Sequence, residues 1–339
     1  MATMRSICPW FPLVIVIGTG PTGLLLSLLL AKHSIPVLTL DKSTSLCPLP
    51  RATHYGPPPT TRLGTDNPDR ISCLPLNQLC KLALEDLERE PGAEVRWGRE
   101  AVVKMRTEDG VEEFIIRREL FGDEFPGYTW DLQIIATNVN SNFVIYPTDY
   151  FMAAKIQDDG LWRVSYGEVP GLSHDEYRRR QPAKYETMLP GNPKPDDYRI
   201  VNLSPYKVHQ RLAPRMRVGR FILAGDAAHL CNPFGGMGLT GGLVDVGDLF
   251  DCLAGIHDGR ADDDILDKYD HYRREKYNQF TNPISEANLK RMASDPDEVE
   301  ANDPGIVAMR EADKTDEAAV AFQLGVLGLA HDMTQYYKK

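Results

Sequence analysis

No stretch of this chain stays apolar for long. The runs Leu13–Ile17 and Leu24–Ala31 are divided by Gly-Thr-Gly-Pro-Thr-Gly, and neither approaches the ~18 residues that a membrane-spanning helix requires. No span is expected. A secretory leader needs a charged n-region and a small-residue cleavage site; Arg5 is a poor start and the glycine motif sits where cleavage would fall, so no targeting segment is expected. Positive charge is short as well: 38 Lys and Arg face 48 Asp and Glu, a net charge of −10, the reverse of a basic nucleic-acid-binding face. The one dense basic cluster, Arg178-Arg179-Arg180, lies beside acidic and Pro-rich sequence and reads as a solvated face. Cysteine is sparse. Cys8, Cys47, Cys73, Cys80, Cys231 and Cys252 have unrelated spacings and no CxxC, which argues against a metal site or a disulfide framework and suits a reduced, cytoplasmic protein. There are no internal repeats.

What the chain does contain is glycine in an ordered setting. Hydrophobic residues make up 42% and charged residues 25%, ordinary globular usage, and 339 residues suffice for two to three domains. Leu13–Ile17 predicts a strand buried on both faces of a parallel sheet. Gly18-Thr-Gly20-Pro-Thr-Gly23 follows, then a leucine-rich helix to about His33 and a second strand, Ile35–Leu40, closing on Asp41. In a strand–GxGxxG–helix–strand unit the first glycine permits the turn and the second lets the backbone approach a pyrophosphate. The third lets helix and strand pack closely. Asp41 lies 18 residues past Gly23, near the roughly 20 expected of an acid that grips a ribose hydroxyl.

Residues 42–72 are rich in Pro, Thr and Arg and read as loop. Leu76, Leu79, Leu82, Ala83 and Leu87 recur at helical spacing. Glu94–Trp97, Ala101–Met105, Phe114–Arg117, Asp131–Thr137, Asn142–Tyr146, Phe151–Ile156 and Leu161–Gly167 read as strands, the last two joined through Asp158-Asp-Gly160 as a hairpin. This middle portion is expected to be mainly antiparallel. Residues 168–198 predict short helices and loops over that sheet, and Arg199–Ser204 a returning strand.

A second glycine-dense stretch then appears. Phe221–Ala224 is apolar and stops at Gly225-Asp226-Ala-Ala-His229. Pro233-Phe-Gly-Gly-Met-Gly-Leu-Thr-Gly-Gly242 leads into an amphipathic helix with Leu239, Leu243, Val246, Phe250 and Leu253 on one face. Such a turn presents backbone amides and a helix N-terminus to an anionic or electron-rich ligand. Asp245, Asp248 and Asp251 fall on other faces; Asp245 reads as a capping or surface acid, and His229 as structural. Residues 264–293 are helical and polar. Residues 294–315, acidic and carrying Asp295-Pro and Asp303-Pro, are expected to be poorly ordered, and Asp316–Tyr337 predicts a last helix.

Gly18–Gly23, Arg51-Ala52 and Arg220–Gly242 together resemble the flavin-dependent aromatic hydroxylases, the single-component FAD monooxygenases of the para-hydroxybenzoate and phenol hydroxylase group, fungal members especially. The likeness covers most of residues 13–280. It is most specific in Arg220–Gly242, which is similar to the family's GDAAH…P-GG-G signature. The resemblance implies an α/β fold in which a GxGxxG, Rossmann-like FAD-binding domain is interleaved with an antiparallel β-sheet substrate domain. Residues 10–110 and 205–290 would be the two parts of the FAD domain, 111–204 the substrate domain, and 291–339 a helical, acidic tail.

Position by position, the resemblance puts Gly18, Gly20 and Gly23 against the pyrophosphate, Asp41 on the adenosine ribose, and Arg51 on the diphosphate or adenine side. Gln78 and Asp226 would meet the ribityl chain, and Pro233 the reacting edge of the flavin. Gly236, Met237, Gly238, Leu239 and Thr240 would set their amides around the pyrimidine end of the ring. Tyr146, Tyr150, Phe151, Arg163 and Tyr166 are candidates for the substrate pocket. Alternation separates Arg163 and Ser165 from Trp162, Val164 and Tyr166. Tyr206 and His209 are candidates for proton handling. The implied reaction is hydroxylation of a phenolic or polyketide-like aromatic: NAD(P)H reduces FAD, and O2 adds at the flavin C4a to give a hydroperoxide that attacks the ring. A homodimer is left open.

The chain is shorter in the middle than the family pattern. Asp109-Gly110, followed by Val-Glu-Glu-Phe-Ile-Ile and Arg117-Arg118, resembles the tail of the family's Gly-Ala-Asp-Gly signature without its strand. The alternative reading, a flavin-binding homologue without oxygenase turnover, rests on that gap. A third, an NAD-dependent dehydrogenase, leaves residues 220–242 unexplained.

Overall fold

The computed structural model describes residues 14–47, 54–55, 72–73, 76–107, 110–115, 131–133, 141–155, 160–205 and 207–338. Arg51 and Tyr206 lie outside the described residues. Strands β1 (Val14–Ile17) and β2 (Val37–Leu40) pair in parallel, Val14 with Val37 through Ile17 with Leu40. The crossover between them is helix α1 (Pro21–Lys32). Proline at its start forgoes only an amide that has no intrahelical partner anyway, and Leu24, Leu26 and Leu30 are buried. The buried hydroxyls of Ser27 and Thr39 satisfy each other at 2.8 Å.

A two-residue ladder, β3 (His54–Tyr55) with β4 (Ser72–Cys73), precedes helix α2 (Leu76–Leu87). Helix α2 packs on α1 and turns Leu76, Cys80, Ala83 and Leu87 inward. Strand β5 (Ala93–Arg96) then pairs in parallel with β2, giving the order β1–β2–β5. The sequence reading groups Glu94–Trp97 with the antiparallel middle; the α2 crossover returns the chain beside β2 instead. Strand β1 also differs from expectation. It is an edge among the described strands, with Ile15 54% and Ile17 48% exposed, rather than buried on both faces.

Strands β6 (Val102–Thr107) and β7 (Gly110–Ile115) form a hairpin. A five-stranded antiparallel sheet follows, built from β8 (Asp131–Gln133), β9 (Ser141–Val144), β10 (Phe151–Lys155), β11 (Leu161–Tyr166) and β12 (Arg199–Asn202) in the order β12–β8–β11–β10–β9. Helix α3 (His174–Met188), one continuous helix where short pieces are expected, begins with reciprocal capping between Ser173 and Glu176. Phe151 pairs with Tyr166 and Ala153 with Val164. These residues and Trp162 pack against Tyr185, Met188 and Leu189 at the end of α3. Strand alternation puts Met152, Ala154, Arg163 and Ser165 on the opposite face.

Two short ladders, β13 (Arg211–Leu212) with β16 (His229–Leu230) and β14 (Arg217–Val218) with β15 (Phe221–Ile222), bracket the Gly225 turn. Then come α4 (Met237–His257), α5 (Ile265–Lys276), a π turn (Tyr277–Thr281) and α6 (Asn282–Met292). One apolar core joins the two ends of the chain: Val16, Leu24, Leu30, Val37 and Leu87 share it with Val246, Leu249, Ile265, Tyr269 and Met333.

The acidic C-terminal stretch is folded, contrary to expectation. It forms α7 (Pro296–Asn302), α8 (Pro304–Ala312) and α9 (Asp316–Leu324). Asp295 accepts the amides of Asp297 and Glu298, and Asp303 those of Gly305 and Ile306. Each Asp-Pro pair is thus an N-cap followed by proline at the first helical position, a helix start rather than a breaker. The last predicted helix stops at Leu324, and two 3-10 turns (Gly325–Leu329 and Met333–Tyr336) carry Leu329 and Met333 into the interior. Residues 296–336 thus carry helices and turns that pack on the rest of the described chain. No helix among the described residues is long and apolar enough to cross a membrane.

Candidate active site

Sterics explain the first glycine turn. Gly18 sits at φ +106°, a conformation open to glycine at little cost. A Cβ on Gly23 would fall 2.0 Å from the carbonyl oxygen of Gly18, so only glycine lets α1 approach β1 this closely. Over Gly18 and Gly20, by contrast, an added Cβ would meet nothing within 4 Å. Gly20 is the N-cap of α1, no side chain caps the helix, and its first turn carries no acid. The amides there are left to a ligand or solvent. Asp41 ties this turn to the end of β2: one oxygen accepts from Thr19 N and Thr19 Oγ1, both at 2.7 Å, and the other from Ser43 N at 2.8 Å and from Ser43 Oγ. Partial burial opposes its charge, but these hydrogen bonds outweigh it and hold the carboxyl below its ordinary range.

Thr22 joins the two glycine-rich stretches. Its Oγ1 would lie 2.6 Å from a Cβ on Gly225 and 2.8 Å from one on Gly242, so the start of α1 seats between the Gly225 turn and α4. Gly225 adopts φ +60°, and the next residue, Asp226, is exposed in the turn Gly225–Ala227. Behind the turn stands a buried ionic cluster. Asp245, 0% exposed, accepts the Gly225 amide at 2.7 Å and His229 Nε2–H at 2.8 Å on one oxygen, and Arg273 Nε–H at 2.7 Å on the other. Arg273, 2% exposed, also donates to Asp248 at 3.2 Å and to the Leu329 carbonyl at 2.5 Å. Burial opposes ionisation of Asp245, yet its His229, Arg273 and Gly225 partners bring it below the ordinary range; burial pushes Asp248 up to about 6. The reading of Asp245 as a capping or surface acid is therefore corrected: it is an interior partner of the turn. His229 has the expected structural place, its ring 3.0 Å from where Gly241 would carry a Cβ.

Pro233 begins a short turn that ends at Gly236, φ +63°, the N-cap of α4. This helix also has no side-chain cap and no acid in its first turn, and the positions of Gly236, Met237, Gly238, Leu239 and Thr240 line that end. The loop before Pro233 is held from below. Gln210 Oε1 accepts Asn232 N at 2.5 Å, Asn232 donates to the Ser285 carbonyl at 2.7 Å, and Tyr277 Oη donates to the Leu230 carbonyl at 2.7 Å. The π turn beginning at Tyr277 thus braces the Pro233 loop, as such irregular turns often do at functional sites.

Among the sheet residues, Tyr150 reaches this loop, its ring edge-on to Phe234 with centroids 5.6 Å apart. Arg163 is buried on the sheet face away from α3. Tyr166 and Phe151 do not share that face. Tyr166 packs edge-on against Tyr185 at 5.8 Å, and its hydroxyl pKa is driven well up by burial and by the charges of Glu168 and Tyr198. Strand alternation commits it to the core beneath α3. Tyr146 is 51% exposed, its amide bonded to the Met292 carbonyl, and Gln78 is exposed in the first turn of α2. His209 is half-buried and, through burial and the nearby Arg211 and Lys207, is kept more easily deprotonated than a free imidazole. Thr22, Asp245, Arg273, Gln210 and Asn232 escape the sequence reading. Asp245 alone left a trace, as one of three acids read on the faces of α4 away from its apolar stripe.

The residues present suit a ligand with anionic and polar ends. Two uncapped helix N-termini with glycine caps face open space at Gly18, Gly20 and Gly236, while the neighbouring Gly23, Gly225 and Gly242 are consumed by packing. A family model described as an FAD binding domain matches residues 13–58 and 156–282. The chain is 33% identical to para-nitrophenol 4-monooxygenase of Pseudomonas sp. (strain WBC-3), across 84% of this chain and 88% of that protein. It is 32% identical to 6-hydroxy-3-succinoylpyridine 3-monooxygenase of Pseudomonas putida (strain DSM 28022 / S16), across 82% and 88%. The crystal structure of p-nitrophenol 4-monooxygenase from Pseudomonas putida DLL-E4 superposes with a TM-score of 0.77 at 28% identity, covering 95% of this chain and 100% of that one. The first of these alignments runs over 356 positions, of which 84% of this chain fills about 285; the relative is longer within the matched region.

Proposed function

The chain belongs to the FAD-dependent aromatic monooxygenases, and from that premise we propose how its own residues divide the work and which substrates it takes. The protein is an oxidoreductase that hydroxylates an aromatic ring with FAD as cofactor. In this reading residues 10–110 and 205–290 form one Rossmann-like FAD domain, and residues 111–204 the interleaved substrate domain. The shared apolar core of residues 16–95 and 216–269 supports that division. Gly18, Gly20 and Gly23 would receive the pyrophosphate at the α1 N-terminus. Asp41 would shape that turn and offer an oxygen to the ribose, with Arg51 and Gln78 contributing from outside it. Asp226 would face the ribityl chain, and the amides of Gly236 to Thr240 the polar end of the flavin ring.

When bound, FAD supplies the redox chemistry, accepting reducing equivalents from NAD(P)H and activating O2. The protein contributes position, exclusion of water and proton handling. The observation that carries the reading is the Tyr150–Phe234 contact, which brings the antiparallel sheet onto the loop that presents Pro233 beside the α4 glycines. Arg163, buried on the sheet face away from α3, would hold an anionic or nitro substituent of the ring, with Tyr146 at the rim. His209, more easily deprotonated than a free imidazole, would take the phenolic proton, and Tyr206 is the second candidate for proton handling. The substrate class is thus a phenol with a nitro or anionic substituent on the ring, which the name of one relative, a para-nitrophenol monooxygenase, also favours. The enzyme would work in the cytoplasm.

The test is NAD(P)H oxidation and O2 uptake by the FAD-loaded protein with 4-nitrophenol, 4-hydroxybenzoate, unsubstituted phenol and nitrobenzene. Both substituted phenols should stimulate turnover above phenol, and nitrobenzene should not. Equal stimulation by phenol and the substituted phenols, or an Arg163→Met variant with unchanged KM for all of them, would reject the substituent site.

A further inference from the structure

The cluster behind the Gly225 turn calls for more than a stabilising role. A buried ion pair is weak evidence of stability, because removing both charges from water costs about as much as their attraction returns. What this one gains is direction. A glycine peptide at φ +60° has little steric preference of its own. The Asp245 carboxylate supplies one by accepting the Gly225 amide and, on the same oxygen, the Nε2–H of His229 on the other side of Asp226. Both ends of the turn are drawn inward, and Asp226 and Ala227, both exposed, are left facing out.

Arg273 fixes the carboxylate in turn. It donates to the free oxygen of Asp245 and is itself oriented by Asp248 and the Leu329 carbonyl. Helix α5 adds further grips on the same stretch: Asp270 accepts Met216 N at 2.7 Å, and Tyr269 Oη donates to the Leu223 carbonyl at 3.0 Å. The C-terminal segment closes the far side, with Lys276 bonded to the Gly328 carbonyl at 2.7 Å. The turn is therefore set by a chain of directed bonds, and Asp245 is the only one of its acids to touch it.

We propose that Asp245 and Arg273 are positioning residues for the cofactor, orienting the Gly225 peptide so that Asp226 presents its carboxylate to bound FAD. This rests on the placement of Asp226 at the ribityl chain. Asp245→Asn keeps the volume but turns one acceptor into a donor, which opposes either the Gly225 amide or Arg273. Asp248→Asn disturbs the same arginine, with the same kind of burial, yet has no bond to the turn. Apoprotein is titrated with FAD, following the quenching of flavin fluorescence, and the melting temperature of each apoprotein is recorded alongside. Loss of a directed bond to a buried amide should weaken FAD binding about 10- to 100-fold in Asp245→Asn. Arg273→Lys should fall between that variant and wild type, and Asp248→Asn should stay within about threefold of wild type, whatever each does to melting. Unchanged affinity in Asp245→Asn, or equal weakening in Asp245→Asn and Asp248→Asn, overturns the proposal. If Asp245→Asn does not fold, Arg273→Lys against Asp248→Asn decides in the same way, equal affinities overturning it. Asp226→Asn tests the premise separately: if it binds FAD as wild type does while Asp245→Asn does not, the placement of Asp226 fails and the orienting role of the cluster must act on the neighbouring amides.

Discussion

Thr22 wedged between Gly225 and Gly242 lends itself to a double-mutant cycle. On a solvent-exposed helix, glycine to alanine stabilises by about 1 kcal/mol. At position 242 the added Cβ would stand 2.8 Å from Thr22 Oγ1 and 3.4 Å from Gly225 Cα. The first distance is an overlap that Thr22 must relieve by moving, and overpacking of this kind costs about 1–3 kcal/mol. Gly242→Ala should therefore be neutral to destabilising by about 2 kcal/mol, the propensity gain being spent against the clash. In a Thr22→Ala background the colliding atom is gone, and the same substitution should stabilise by up to about 1 kcal/mol. The coupling energy expected from urea unfolding of the four apoproteins is about 1–3 kcal/mol, well above the ~0.5 kcal/mol within which independent sites add. Additivity within that limit would show that Thr22 does not join the two glycine stretches.

Gly23→Ala places a Cβ 2.0 Å from a backbone oxygen that cannot rotate away, so the purified variant should carry almost no flavin; normal flavin content would refute the packing argument. Burial pushes Asp248 from the ordinary 3.8 up to about 6, so between those values the folded protein keeps a proton that the unfolded chain has released, and this contribution to stability is lost as pH rises through about 6. Asp248→Asn should gain on wild type by about 2 kcal/mol between pH 4.5 and 7.5 in urea unfolding; a constant difference would contradict the shift. Asp303 caps α8 and also accepts Arg291 Nε at 2.7 Å, so Asp303→Ala should cost about 1–2 kcal/mol, and a loss under 0.3 kcal/mol would count against the cap.

Features set by local sterics are readable from the residues alone. Gly23 must clear the carbonyl of Gly18 only five positions earlier, and alternation along β11 separates Arg163 from Tyr166 without any knowledge of α3. Features that depend on distant partners are not. Strand β5 reads as a strand, but only the α2 crossover decides that it joins β2. Asp245 looks like a surface acid because its charge partner, Arg273, lies on another helix, 28 residues on. The Asp-Pro pairs at 295 and 303 have the composition of a linker, yet the same two residues in the same order start a helix when apolar residues such as Val299 and Ala312 find a surface to cover. The exposed face of β1 has the opposite cause: a continuous apolar run does not say how many neighbours the strand will have.

The shared core also sets an order of events during synthesis. Helix α1 is made with Leu24 and Leu30, both fully buried in the finished fold, but Val246, Ile265 and Met333, which complete that core, follow more than 200 residues later. At roughly 5–20 residues per second, Leu30 waits about 10–40 seconds for Val246 and about 15–60 seconds for Met333. Helix α2 and strands β2 and β5 can cover part of α1 by residue 96, but the side that meets α4 stays unsheltered until the chain has passed residue 257. Its yield in a cell should therefore follow the supply of holdase chaperones more closely than the stability of the finished protein.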